Sequence, residues 1–358
     1  MEEIKGYKCP NCNGDIVFDA NTQNMSCPYC GSELEIESLK ELATINQDVQ
    51  DEFGWDEVDL TSILSEEESG LKAYVCESCG GEIVGDETMA SSSCPYCGNH
   101  VIVSKQFEGI LKPDYVIPFK YDKAAAIDKM HNHFKGKILL PKDFADKKIL
   151  NEIIGVYVPY WLFDCDAKGA IRYRATKMRT YRSGDYQVTE TFHFLLNREG
   201  DMSFTRVPVD ASKKFDKVLL EAVEPYDVKE AVDFKTAYMQ GFLSDRFSLM
   251  PEEVIDRANQ RIKQSLSDEL NKTTVGYTSV IPENSYVNFD HGKISYALLP
   301  IWILNVKYKG ELFTFAMNGQ TGKFVGDLPS DNMKFILYML LIFVGVFAFV
   351  MAMMWFLI

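Results

Sequence analysis

Two stretches of this chain, residues 9–30 and 76–97, each carry two C-x-x-C pairs with 14 residues between the pairs. Each cysteine of the second set stands 67 positions after its counterpart, and CPYCG closes both sets. Two residues between thiolates let one tight turn aim both sulfurs at a single ion. Two such turns close a tetrahedral site with no open position. Pro28 and Pro95 preset φ for the turn, and Gly31 and Gly98 permit the positive φ that follows it. The expected metal ligands are therefore Cys9, Cys12, Cys27 and Cys30 in one module and Cys76, Cys79, Cys94 and Cys97 in the other. Each set would hold one structural Zn2+. Residues 15–19 and 82–84 read as short strands between the pairs. A unit of about 25 residues buries little apolar surface, so the metal would supply most of its folding free energy. Rubredoxin-like iron and redox-active pairs are the alternatives. The redox one is disfavoured because each pair has a mate at ribbon distance and no βαβ pattern surrounds it. The ninth cysteine, Cys165, reads as a small buried hydrophobe.

The opening MEEIKGYKCP has no secretory signal, so the thiols are expected to meet a reducing cytosol, where paired cysteines favour metal over disulfide. The net charge of −15 is uneven. Residues 1–100 hold 21 acidic and 4 basic side chains. Such a region repels a phosphate backbone, which makes nucleic acid an unfavoured partner. The stretch 38–70 between the modules is acidic and reads as a solvated linker. Its alternative is a docking segment with Phe53, Trp55 and Leu60 as apolar anchors.

Residues 335–358 contain no charge. At about 1.5 Å per residue they would span about 36 Å, enough for a hydrocarbon core of about 30 Å. A single-pass tail anchor is expected, with Lys334 on a cytoplasmic flank and the N terminus in the cytosol.

Residues 106–330 alternate strand and helix patterns and read as a mixed α+β region. Strands are expected at 115–119, 155–163, 170–181, 186–196, 296–306 and 312–317. Helices are expected at 122–134, with Asp122 as N-cap, and at 251–270, with Pro251 at N1 and an apolar stripe through Val254, Ile255, Ala258, Ile262 and Leu266. A second repeat is hinted at here. VYVPYWLFD and ALLPIWILN place Pro two residues before Trp, 141 positions apart, and each leads to a Lys-Gly step.

Catalytic motifs are absent: there is no G-x-S-x-G, H-E-x-x-H or G-x-G-x-x-G. GQTGKF is too short for a P-loop. His131 and His133 face apart on their helix, and His193 reads as a strand residue. The basic run 171–182 reads as a solvated strand. Its alternatives are contacts to phospholipid head groups or to single-stranded nucleic acid, with Arg172, Arg174 and Arg179 on phosphate.

The order KCPNC…CPYCGSE, a second cysteine module, VPYWLFD, LPIWILNVKYKG and an apolar segment resembles the bacterial membrane proteins with TFIIB-type zinc ribbons, chiefly of Gram-positive bacteria. Some relatives are similar to membrane partners of phage-shock-type envelope-stress systems. The resemblance implies zinc on the eight ribbon cysteines and a role in recruiting a peripheral membrane protein. It also carries a helicase-like label, which no Walker motif supports. The expected architecture is zinc ribbon 1 (1–37), acidic linker (38–70), zinc ribbon 2 (71–105), an α+β domain (106–330) and a transmembrane helix (335–358). The expected function is that of a non-enzymatic adaptor docking a basic or peripheral stress-response protein at the cell membrane. The alternative is a membrane-tethered nucleic-acid-binding protein acting in replication or transcription.

Overall fold

The computed structural model describes residues 8–9, 14–20, 22–36, 51–65, 70–87, 89, 93–99, 102–105, 109–141, 144 and 147–357. It is a mixed α+β protein with a large sheet, cysteine clusters of zinc-ribbon type and an apolar C-terminal helix. The chain divides into two compact units, residues 1–57, 163–205 and 256–293 in one, and 58–162, 206–255 and 294–358 in the other. Four elements continue from one into the other: strands Ile154–Ser183, Tyr186–Asp210 and Ser279–Tyr308, and helix Pro251–Lys272.

The α+β body contains two equivalent halves. In each, a short strand leads through a helix into a long strand. The first half runs from Tyr115–Val116 through helix Lys123–Phe134 to the strand that starts at Ile154. The second runs from Leu243–Asp245 through the helix that starts at Pro251 to the strand that ends at Tyr308. Asp122 caps the first helix by accepting from the Ala125 N–H at 2.8 Å, and Ala126, Met130 and Phe134 form its buried face. Each lead strand pairs in parallel with the long strand of the other half, Tyr115 against Ala297 and Leu243 against Val156. The long strands are buried without interruption from Gly155 to Phe163 and from Ser295 to Leu304. Burial on both faces explains why their sequences run apolar rather than alternating.

The equivalence reaches single atoms. The Trp302 indole donates to the Tyr121 carbonyl at 3.2 Å, and the Trp161 indole donates to the Leu249 carbonyl at 2.9 Å. Phe119 packs edge-on against Trp302 with centroids 5.1 Å apart, as Phe247 does against Trp161 at 5.6 Å. The Gly319 and Ala211 amides each donate to the Pro300 and Pro159 carbonyls at 2.9 Å. Strand partners separate by 141 positions between halves, and lead strands and helices by 128. The Lys-Gly steps diverge. Lys309 and Gly310, at φ 52° and 88°, make the hairpin turn into strand Glu311–Asn318. Lys168-Gly169 instead continues through its strand, where a Cβ on Gly169 would lie 2.8 Å from Leu266.

The first unit holds the N-terminal cysteine module, whose strands Val17–Asp19, Asn24–Ser26 and Glu33–Leu34 form a small antiparallel sheet. Of the stretch read as a linker, residues 51–65 and 70 are described, and its first described residues are part of the fold. Strand Glu52–Trp55 pairs in parallel with residues 288–292. Trp55 packs against Phe163 and Phe289 at 5.1 and 5.6 Å and donates to Asn259 at 2.9 Å, while Asp51 bonds Lys263 and the Val287 amide. Apolar side chains on alternate positions outweigh the surrounding acid, so these residues pack. The backbones approach so closely that a Cβ on Gly292 would lie 2.0 Å from the Gly54 carbonyl.

Candidate metal centres

In the second module the loops after Cys76 and Cys94 fold alike. The Cys76 amide donates to the Gly81 carbonyl and the Gly80 amide to the Cys76 carbonyl. The Cys94 amide donates to the Asn99 carbonyl and the Gly98 amide to the Cys94 carbonyl. Gly80 and Gly98 sit at φ 68° and 72°, where a side chain would be strained. These turns bring the Cys76, Cys79, Cys94 and Cys97 sulfurs within 4.8 Å of one another. The 76–97 and 79–94 sulfur pairs are 3.7 Å apart. A Zn–S bond of about 2.3 Å in tetrahedral geometry puts sulfurs about 3.8 Å apart, so the thiol set fits Zn2+. Burial raises the Cys76 thiol, but the Cys79 and Ser78 amides and Cys97 outweigh it and hold it down to about 7. Burial pushes the Cys79 and Cys94 thiols up instead, so before a metal binds the thiolate is favoured at Cys76 and disfavoured at those two.

In the first module Cys9, Cys27 and Cys30 lie within the same 4.8 Å span, with Cys9 and Cys30 at 3.5 Å. The turn repeats, the Cys27 amide bonding the Ser32 carbonyl and the Gly31 amide the Cys27 carbonyl. Cys12 lies outside the described residues. Cys165 is buried and its thiol is pushed up to about 12 by burial and by Asp166 and Asp164, as an unreactive core residue would be.

The two modules differ in their surroundings. Strand Glu82–Gly85 of the second pairs with Leu243–Asp245 of the body. Arg246 bonds Glu82, the Asn305 amide donates to the Pro95 carbonyl at 2.8 Å, and Lys307 bonds Asn99 at 2.7 Å. Tyr96 donates to Asp245 at 2.6 Å. Burial pushes the Asp245 carboxyl up, and Ser212, Tyr96 and Lys214 pull it back. Nothing in the sequence marks Asp245 as a hub, because its partners Tyr96 and Ser212 lie 149 and 33 residues away. The first module meets its unit through a small apolar cluster, Leu195 beside Met25 and Leu34, and its Cys30, Gly31 and Ser32 line a pocket with Arg174, Thr176 and Phe192.

Of the other residues singled out in sequence, Arg174 and His193 line a pocket with Cys30, Gly31 and Ser32 of the first module. Arg172 and Arg174 both pair with Glu283; Arg172 is buried, and Arg174 stays exposed. Arg179 lies over the Tyr181 ring. His133 packs on Phe324 at 4.1 Å, and burial lowers its pKa.

Among the described residues one helix is long and apolar enough to cross a membrane. It covers Asn332–Phe356, with none of it buried. Its base is held by the Asp331 amide on the Leu139 carbonyl and by Lys334 on the Leu140 carbonyl.

Geometry and fold together define a protein with cysteine modules of zinc-ribbon type, a large α+β body and an apolar C-terminal helix. Residues 7–44 match the TFIIB zinc-binding family, a span that takes in the first module only. Over 331 residues, 92% of each chain, the protein is 33% identical to the uncharacterized protein YdjG of Bacillus subtilis (strain 168). The chain belongs to the YdjG family. No solved structure matches it.

Proposed function

We propose that this protein is a membrane-anchored zinc-binding adaptor rather than an enzyme, and that it docks a cytosolic protein at the membrane. The observation that carries the reading is the closed arrangement of thiols at Cys76, Cys79, Cys94 and Cys97. Four thiolates fill a tetrahedral ion completely and leave no position for substrate or water, so a metal held there is structural. The helix 332–356 is the anchor, with Lys334 on the cytoplasmic flank and the ribbons on the cytosolic side. The acidic N-terminal third favours a basic partner, and the resemblance to partners of phage-shock-type systems makes a peripheral stress-response protein the first candidate.

Full-length protein purified from membranes, beside a Cys27→Ser/Cys30→Ser variant, tests this. The first module is the one to disable, since losing the second would disturb the body it pairs with. A defined protein retained by the wild type and lost by the variant supports the adaptor. Nuclease-sensitive nucleic acid in its place would turn the reading to the nucleic-acid alternative. An activity that maps to residues of the α+β body would end it.

A further inference from the structure

One pentapeptide, CPYCG, occurs in two opposite settings. In the second module Pro95 is buried, and Tyr96, Cys97 and Gly98 are half-buried. That knuckle is seated by the Asp245 carboxylate on the Tyr96 hydroxyl, by the Asn305 amide on the Pro95 carbonyl, and by Phe215 against the Tyr96 ring at 5.0 Å. In the first module Pro28, Tyr29, Cys30 and Gly31 are all exposed, Tyr29 by 72%, and nothing lies within 4 Å of a Cβ built on Gly31. The knuckles are otherwise built alike: each tyrosine ring lies across a glycine, Gly14 in one and Gly81 in the other.

The strand edge is not what the first module offers. The second module's strand Glu82–Gly85 joins the body, but its counterpart Val17–Asp19 is closed off by its own hairpin partner Asn24–Ser26. The Pro28–Tyr29 side of the knuckle remains, with exposed Glu33 and Glu35 in the same module; Asp15 is paired with Lys8, and Cys30 and Gly31 face a pocket of their own unit. The body meets the second module with basic donors, pairing Arg246 with the Glu82 carboxylate and setting Lys307 on the neutral Asn99 side-chain oxygen.

We propose that the Pro28–Tyr29 side of the knuckle is a docking surface for a basic protein face. That face sets a carboxylate against the Tyr29 hydroxyl and an amide or ammonium donor against the Pro28 carbonyl. The proposal rests on the adaptor reading above. The acidic module disfavours anionic lipid head groups and nucleic acid alike. A second copy is disfavoured because its Asp245 and Asn305 already hold its own second module.

The test uses the full-length chain in native membranes, with photoreactive p-benzoylphenylalanine at position 29 and, as control, at position 96. The expected result is an adduct from position 29 to one protein, mapped to a peptide that carries Lys or Arg beside Asp or Glu, and none from position 96. Tyr29→Phe keeps the ring over Gly14 and removes only the hydroxyl. It should lower co-purification of that protein about tenfold, the loss expected for a hydrogen bond to a charged group, at unchanged zinc content. An adduct to lipid or nucleic acid alone, or a protein yield that Tyr29→Phe leaves unchanged, overturns the docking surface. If a protein is lost with Cys27→Ser/Cys30→Ser but gives no adduct from position 29, the adaptor stands and the knuckle surface falls. If no protein co-purifies at all, both fall.

Discussion

Tyr29 and Tyr96 hold the same place in the same pentapeptide, yet only Tyr96 closes a buried hydrogen bond to a carboxylate. Tyr96→Phe should therefore destabilise the second unit by about 1.5–3 kcal/mol, the usual worth of a hydrogen bond to a charged group, read as a shift in the urea midpoint in detergent. Tyr29→Phe should leave that midpoint in place. The glycines under the rings should separate in the same way. A Cβ on Gly81 would lie 2.4 Å from the Tyr96 ring, which cannot yield without leaving Asp245. Gly81→Ala should cost about 1–3 kcal/mol. On Gly14 the clash is 2.6 Å, but the exposed Tyr29 ring can swing into solvent, so Gly14→Ala should be nearly neutral.

At the scale of elements, the two tryptophans of the long strands make matching bonds, so their losses should match. Trp161→Phe and Trp302→Phe each leave one backbone carbonyl, of Leu249 or Tyr121, without its indole donor. Each should cost about 1–3 kcal/mol, and the two costs should agree within experimental error. Strand Glu52–Trp55 depends on Trp55 in the same manner. Trp55→Ala should release it, seen as rapid limited proteolysis within residues 51–57 while the second unit stays protected. The cysteine turns, the helix at Pro251 and the P-x-W strands were legible because each rests on local chemistry. The full repeat was not. Its offset changes from 128 for the helices to 141 for the strands, since the second helix runs 22 residues against 12 for the first and the path from helix to long strand is also longer in the second half. No single period could reveal both. The acidic stretch misled for a related reason: its composition is that of a linker, but Phe53 and Trp55 lie two apart and share a strand face.

For the whole molecule, the unequal seating of the modules predicts unequal consequences of metal loss. Cys76→Ser/Cys79→Ser should abolish the near-ultraviolet circular dichroism of the aromatic-rich second unit. Cys27→Ser/Cys30→Ser should lower bound zinc and leave that signal in place. The crossed pairing of the lead strands also sets a schedule for the chain's birth. Tyr115 finds its partner only at Ala297, 182 residues later, which takes the ribosome about 10–35 s to make. Until then the first half exposes an open sheet edge and the apolar run around Trp161. The apolar helix at 332 follows soon after that partner. Completion of the body and synthesis of this apolar helix thus fall almost together, so the nascent chain needs shelter from aggregation at the moment its most apolar segment is made.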